Sequence, residues 1–331
     1  MKNQPLLKVE NLRIEFPTRR GTLVAVDDIS FHIDEGEVLG VVGESGAGKS
    51  LTGSAVIGLL EPPGRIAEGR ILLDGREIQN LPYAEMRRIR GREIGMVFQD
   101  PLTSLNPLYT VGRQLIETIQ THTDLSRQAA RKRAIELLAE VGIPSPDVRI
   151  DQYPHQFSGG MRQRVVIALA LCVNPRLIIA DEPTTALDVS IQAQIITLLK
   201  RLCQDHGAAV MLITHDMGVI AETADRVAVM YAGRLAEVGP VDAVIKRAKH
   251  PYTHGLMGSI PKMGHDTERL EQIEGSMPRL TEIPAGCAFN PRCPKAFARC
   301  TAERPDLIMA EGSEVACWLF DQPMKRTGSD G

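Results

Sequence analysis

The sequence has 331 residues, which suggests about two domains, and its 43% hydrophobic and 24% charged residues are typical of a globular protein. A net charge of −3 and an aromatic content of 4% argue against nucleic-acid binding, which favours basic surfaces and stacking rings. The longest apolar run, 165–173, is far shorter than the about 20 residues of a membrane-spanning helix. We therefore expect the chain to stay in the cytosol, where it could dock onto a membrane protein.

The first hundred residues read mainly as strands. Residues 7–16 alternate partly and residues 29–33 alternate cleanly, and together with 70–75 they predict an antiparallel patch. The apolar run 38–42 predicts a buried strand, and 94–98 predicts another core strand.

The middle of the chain combines helices with further core strands. A helical insert is predicted at about residues 100–172, and its clearest helix, 125–141, ends at a glycine. The apolar runs 177–182, 208–214 and 227–231 suit parallel strands that are buried on both faces.

After about residue 240 the sequence changes character, because prolines and glycines interrupt short segments. We therefore predict a small irregular C-terminal extension over 241–324, followed by a disordered tail at 325–331. No internal repeat is visible.

One glycine-rich stretch matches the P-loop pattern G-x-x-x-x-G-K-[ST] at every fixed position. It consists of Gly43, Glu44, Ser45, Gly46, Ala47, Gly48, Lys49 and Ser50. A strand precedes it and a helical pattern follows, so its backbone N–H groups can surround phosphate oxygens at a helix N-terminus. Lys49 should reach the β- and γ-phosphates, and the Ser50 hydroxyl should ligate Mg²⁺. The alternative, a glycine turn with an accidental lysine, does not explain this context.

Several further residues stand where strands or helices end. Asp181 and Glu182 close a core strand, His215 follows another, and Ser158-Gly159-Gly160 opens a helix. A histidine at a strand end is usually structural, but here it lies downstream of the two acids. Phe16 precedes the P-loop and could stack on adenine, although its spacing fits an ordinary core phenylalanine equally well.

In this order the motifs resemble an ABC-type ATPase subunit over roughly residues 6–240. The resemblance implies a nucleotide-binding domain with a P-loop α/β core: a mixed sheet with flanking helices, an antiparallel β patch and the helical insert. Segment 157–161 is similar to the family signature L-S-G-G-Q, with departures at its first and last residues. The roles implied by the resemblance are adenine stacking by Phe16, a Q-loop contact to Mg²⁺ or water by Gln99, Mg²⁺ binding by Asp181, water polarisation by Glu182 and a switch role for His215.

The resemblance also implies partners. Ser158, Gly159 and Gly160 would close over ATP that is bound to a second ATPase subunit, a paralogue forming a heterodimer. Segments 98–107, 250–253 and 284–294 look like the oligopeptide/dipeptide importer ATPases. Such a subunit sits peripherally on the cytoplasmic face of the inner membrane, beneath two permeases that an external solute-binding protein supplies. Segment 99–107 and the helical insert are the expected contact to the permeases.

Three other functions compete with peptide import. A nickel-importer ATPase of the same family shares overlapping motifs. A soluble ABC ATPase of DNA repair or translation would usually carry two cassettes or a long coiled coil, which this chain does not show. A non-catalytic ATP-binding regulator is disfavoured because Glu182 and His215 are both present.

Four cysteines crowd the extension: Cys287, Cys293, Cys300 and Cys317. Their spacing fits structural zinc poorly, and disulfides would be reduced in the cytosol. Four thiolates could instead hold a [4Fe–4S] cluster, which the resemblance supports; four reduced, packed cysteines are the equally weighted alternative.

Overall fold

The computed structural model describes residues 4–185, 187–258 and 273–321. The strands of these segments are β1 (Leu7–Thr18), β2 (Gly21–Ile33), β3 (Val38–Val42), β4 (Arg65–Leu73), β5 (Arg76–Glu77), β6 (Ile94–Val97), β7 (Leu177–Asp181), β8 (Ala209–Thr214), β9 (Arg226–Tyr231), β10 (Arg234–Pro240), β11 (Ile308–Ala310) and β12 (Ser313–Val315). The helices are α1 (Lys49–Val56), α2 (Tyr83–Ile89), α3 (Pro101–Ser104), α4 (Val111–His122), α5 (Arg127–Glu140), α6 (Pro146–Arg149), α7 (Gly159–Leu171), α8 (Val189–His206), α9 (Met217–Thr223), α10 (Val241–Lys246), α11 (Pro251–Gly258) and α12 (Ala298–Ala302).

The predicted antiparallel patch is a four-stranded sheet with the order β2-β1-β4-β5. Leu7 of β1 pairs with Ile33 on one side and Leu73 on the other. Apolar residues of β1 alternate into a hydrophobic cluster that also contains Ala55 and Val56 of α1. The patch is thereby packed against the helix that follows the P-loop.

The core sheet has eight strands in the order β11-β12-β10-β9-β3-β8-β7-β6. Its central strands β9, β3, β8, β7 and β6 are parallel, and β3 and β8 are buried along their whole length. Val42 pairs with Thr214, and Asp181 pairs with Ile213. The carboxyl ends of three neighbouring strands therefore meet at one edge, the usual ligand site of an α/β sheet.

The helical insert lies between β6 and β7 and contains α3 to α7. The helix predicted at 125–141 is α5: Ser126 caps its start by accepting a hydrogen bond from the backbone N–H of Ala129. Gly142 follows its end with a φ of 75°, a conformation that favours glycine. The buried face consists of Ala130, Ala134, Leu137 and Leu138.

The C-terminal extension is joined to the core sheet. The predicted boundary near residue 240 falls between β10 and α10. Farther along, β11 and β12 form a hairpin, and Val315 of β12 pairs with Glu237 of β10. The sequence predicted an irregular extension without this hairpin. The predicted tail at 325–331 lies outside the described residues. In the part of the chain that the structure describes, no helix is long and apolar enough to cross a membrane.

Candidate active site

The P-loop connects the end of β3 to the start of α1. Gly43 has a φ of 154°, and a Cβ at this position would come within 2.2 Å of the Met230 carbonyl oxygen. Gly48 caps α1 with a φ of 100° and offers no side chain to the helix's free N–H groups. These N–H groups are thus left for an anion, and glycine is required where the loop turns.

Lys49 is the first residue of α1 and is buried. Its Nζ donates to the carbonyl oxygens of Gly43 at 2.9 Å and Glu44 at 3.1 Å. Burial lowers the pKa of Lys49, while the carboxylates of Glu182, Asp181 and Glu44 oppose that shift. The ammonium group thus lies inside the curve of the loop, where a phosphate would complete its hydrogen bonding.

Ser50 and Asp181 supply adjacent oxygen atoms for a cation. The Ser50 hydroxyl donates to Oδ1 of Asp181 at 2.8 Å. Burial raises the pKa of Asp181, and the neighbouring Glu182 carboxylate adds to the shift. Across the described segments, no three His, Cys, Asp or Glu side chains are arranged to hold a metal by themselves. Mg²⁺ suits this pair nevertheless, because it takes hard oxygen ligands and completes its shell with phosphate and water.

Glu182 is the centre of a polar cluster. Its Oε2 accepts from Nε2 of Gln99 at 3.2 Å and from Oγ1 of Thr185 at 2.9 Å, and it lies 3.6 Å from Nδ1 of His215. Its backbone φ is 44°, a left-handed conformation that is strained for a non-glycine residue. Its own N–H donates to the Ile213 carbonyl at 2.9 Å, which holds the strained residue in place.

Two other predicted groups lie apart from this cluster. Phe16 packs its ring on Gly64, and a Cβ added to Gly64 would come within 2.7 Å of Cε1 of that ring. Ser158 caps α7 by accepting from the Met161 N–H, and an added Cβ on Gly160 would lie 3.0 Å from Ile191. Gly160 of the signature therefore packs beside α8.

The four cysteines of the extension line one small cavity together with His250, Phe289 and Trp318. All four are free thiols, and the Cys287 N–H donates to the Cys300 carbonyl at 2.8 Å. Burial, with the other cysteines adding to it, raises the pKa of Cys317 to about 11. The donor set matches a Cys-ligated cluster, but within residues 273–321 the thiols are not arranged as metal ligands.

Sequence reasoning missed three residues around this site. Thr185 bonds Glu182, as described above, and Tyr252 and Arg292 contact Glu44 of the P-loop. A signal existed for the last two, because both lie in the segments that resemble peptide importers. The sequence does not indicate, however, that these segments fold back onto the P-loop.

The P-loop lies near an Asp-Glu pair, a glutamine and a strand-end histidine. The fold adds an inserted helical region and an antiparallel sheet. Together these features define an ATP-binding cassette ATPase. Solved structures agree: a dimeric bacterial ABC transporter cassette, MJ0796, is 31% identical with a TM-score of 0.64, covering 71% of this chain and 98% of that one. The family description "ABC transporter" matches residues 26–185, and "Oligopeptide/dipeptide transporter, C-terminal region" matches residues 236–300.

Curated relatives indicate which kind of ABC ATPase this chain is similar to. The dipeptide transport ATP-binding protein DppD of Bacillus subtilis is 49% identical over 96% of both chains. DppD of Escherichia coli is 48% identical, covering 94% of this chain and 96% of the relative, and the oligopeptide transport protein AppD of B. subtilis is 46% identical over 96% and 97%. The chain belongs to the ATP-binding subunits of oligopeptide/dipeptide ABC transporters, which confirms the resemblance read from its motifs.

Proposed function

We propose that this protein is the ATP-hydrolysing, energy-coupling subunit of a peptide importer. The observation that carries the proposal is the convergence of Lys49, the Ser50–Asp181 pair and Glu182 at one edge of the core sheet. The named functions of the similar relatives, dipeptide and oligopeptide transport, support a peptide as the substrate.

In the proposed mechanism, the P-loop N–H groups and Lys49 bind the β- and γ-phosphates. Ser50, Gln99 and Asp181 would hold Mg²⁺, which when bound neutralises charge on the phosphate oxygens. Glu182 accepts a proton from the attacking water, and the hydrogen bonds from Gln99 and Thr185 fix its carboxylate.

The other groups complete the site. His215 is proposed to orient the water and Glu182, to which its ring nitrogen already lies close. Phe16 would stack on the adenine. This role requires a nucleotide to reach the ring above Gly64.

Hydrolysis is proposed to require a second ATPase subunit, a paralogue that forms a heterodimer. Ser158, Gly159 and Gly160 stand at the start of α7, where free N–H groups form an anion site that the chain's own P-loop does not share. Closing this site over the opposite nucleotide would join the two subunits. The dimeric cassette MJ0796 supports such an arrangement.

The membrane partners are proposed to be two permeases, supplied by an external solute-binding protein, which places the chain at the cytoplasmic face of the inner membrane. Side chains near Gln99 suit docking: Phe98, Leu102 and Leu108 are 42%, 62% and 78% exposed. Large apolar side chains clustered on a surface commonly mark an interaction site. Because Gln99 bonds Glu182, a partner bound here could respond to the nucleotide state.

Co-purification tests this function against a soluble ATPase of DNA repair or translation. The chain, expressed with its permeases and extracted in detergent, should purify with them, and peptide substrate with the binding protein should raise ATP hydrolysis. Purification without any permease would contradict the proposal, and so would an ATP hydrolysis rate that is the same with and without permease and substrate.

We propose that the four cysteines hold a [4Fe–4S] cluster of structural role. Four thiols that line one cavity supply the donor set of such a cluster. Within residues 273–321 they are not arranged as ligands, so cluster binding would have to draw them together. Anaerobic purification should yield brown protein with about four iron atoms per chain. Colourless, iron-free protein with all four thiols titratable would favour packed, reduced cysteines instead.

A further inference from the structure

The C-terminal extension contacts the P-loop at Glu44. Nη1 of Arg292 donates to both carboxylate oxygens of Glu44 at 3.0 Å, and the Tyr252 hydroxyl accepts from the Glu44 backbone N–H at 2.8 Å. The Arg292 side chain is 8% exposed and Tyr252 is fully buried. Such an enclosed, charge-assisted contact is stronger than an ion pair in water.

Arg292 also holds a second segment against the loop. Its Nε donates to the Glu274 carbonyl at 2.9 Å, and its Nη2 donates to the Gly275 carbonyl at 3.2 Å. Close by in sequence, the methyl group of Met277 packs against Gly46. A Cβ added to Gly46 would come within 2.9 Å of this methyl carbon. The extension thus contacts two positions of the P-loop, Glu44 through the Arg292 guanidinium group and Gly46 through Met277.

The position of Arg292 is set by an aromatic cluster. Phe289 precedes the 3₁₀ turn Asn290–Arg292, and its ring lies 5.2 Å from Tyr231 and 5.4 Å from Tyr252. Tyr231 and Tyr252 lie 4.6 Å apart. Because aromatic rings in contact pack with defined geometry, they fix the turn and its arginine.

The charge of Glu44 makes this contact relevant to nucleotide binding. Glu44 lies inside the loop proposed to surround a triphosphate, so an unpaired carboxylate there would repel the ligand. Arg292 neutralises that carboxylate from the side of the extension. We infer that Arg292, assisted by Tyr252, is a positioning residue for the nucleotide site: it holds Glu44 and cancels its charge. This inference rests on the proposed ATP site and adds a role for the extension to it.

The test measures binding of the non-hydrolysable analogue AMP-PNP with Mg²⁺ to the full chain by calorimetry. Arg292→Met should raise the Kd about 10-fold, which corresponds to about 1.4 kcal/mol. Adding Glu44→Gln should restore most of that affinity, because the charge that Arg292 cancels is then absent. Arg299→Met is the matched control: this exposed arginine of the same extension pairs with Glu303 and Asp321, and its loss should leave the Kd unchanged.

Rescue of AMP-PNP binding by Glu44→Gln separates a positioning role from a structural one. If Arg292→Met merely loosened the extension, AMP-PNP binding would stay weak when Glu44 is neutralised. Arg292→Lys keeps the charge and should bind more tightly than Arg292→Met. If Arg292→Met fails to fold, Tyr252→Phe, which keeps the ring, should still raise the Kd about 3-fold. An unchanged Kd in Arg292→Met, an equal loss with Glu44→Gln added, or an unchanged Kd in Tyr252→Phe when Arg292→Met is unfolded, would overturn the inference. Failure of the wild-type chain to bind AMP-PNP would instead refute the proposed ATP site itself.

Discussion

Replacing Glu182 with glutamine tests the proposed chemistry at its centre. The amide keeps the shape of the side chain, and its oxygen can still accept hydrogen bonds from Gln99 and Thr185. It cannot accept a proton from water, so only the general-base contribution is removed. That contribution is typically 10²–10⁴-fold, or about 2.7–5.4 kcal/mol of the barrier.

The assay is steady-state ATP hydrolysis by the Glu182→Gln chain assembled with its partner subunits. We expect turnover to fall by about 10²–10⁴-fold while nucleotide affinity persists, so that an ATP-bound dimer accumulates and is seen by size-exclusion chromatography. Glu222→Gln is the matched control, because it makes the same acid-to-amide change at an exposed position of α9. Near-normal hydrolysis by Glu182→Gln would remove Glu182 from the mechanism.

The P-loop turn, a buried histidine and the docking segment can each be tested by substitution. Gly43→Ala should abolish nucleotide binding in calorimetry, because its Cβ would come within 2.2 Å of the Met230 carbonyl oxygen; retained affinity would contradict the close packing of the loop. Burial lowers the pKa of His250 to about 4, so the native state resists its protonation. The free energy of unfolding should therefore fall by at most about 3 kcal/mol as pH drops from about 6.5 to about 4. His250→Asn should flatten this part of the pH–Tm curve. An unaltered curve would show that His250 does not cause the loss of stability. Cysteine pairs between segment 99–107 and cytoplasmic permease loops should crosslink. If no pair crosslinks in any nucleotide state, the docking surface lies elsewhere.

The fold of the core was predictable because its signals are local. A strand, a glycine-rich turn and a helix follow one another within 38–57, and Asp181 with Glu182 marks the end of a buried strand. Parallel strands align their carboxyl ends, so these separate motifs were bound to meet at one edge. The family followed from their order.

The contacts of the extension could not be predicted in the same way. β11 and β12 have three residues each, which is too short for an alternating pattern to show, so their hairpin was missed. Glu44 and Arg292 are 248 positions apart, and no periodicity links them. Local patterns report which face of an element is buried, whereas such contacts depend on how whole segments pack.

The central claim is that the loop of residues 43–50 is a nucleotide site, and equilibrium binding of Mg²⁺-ATP tests it most directly. The full chain should bind ATP, and Lys49→Ala should lose most of that affinity, because it removes the buried ammonium group that is proposed to bind the phosphates. Lys132→Ala is the control, since this exposed lysine of α5 lies far from the loop in sequence and its side chain is 82% exposed. Equal ATP affinity in wild type and Lys49→Ala would contradict the account.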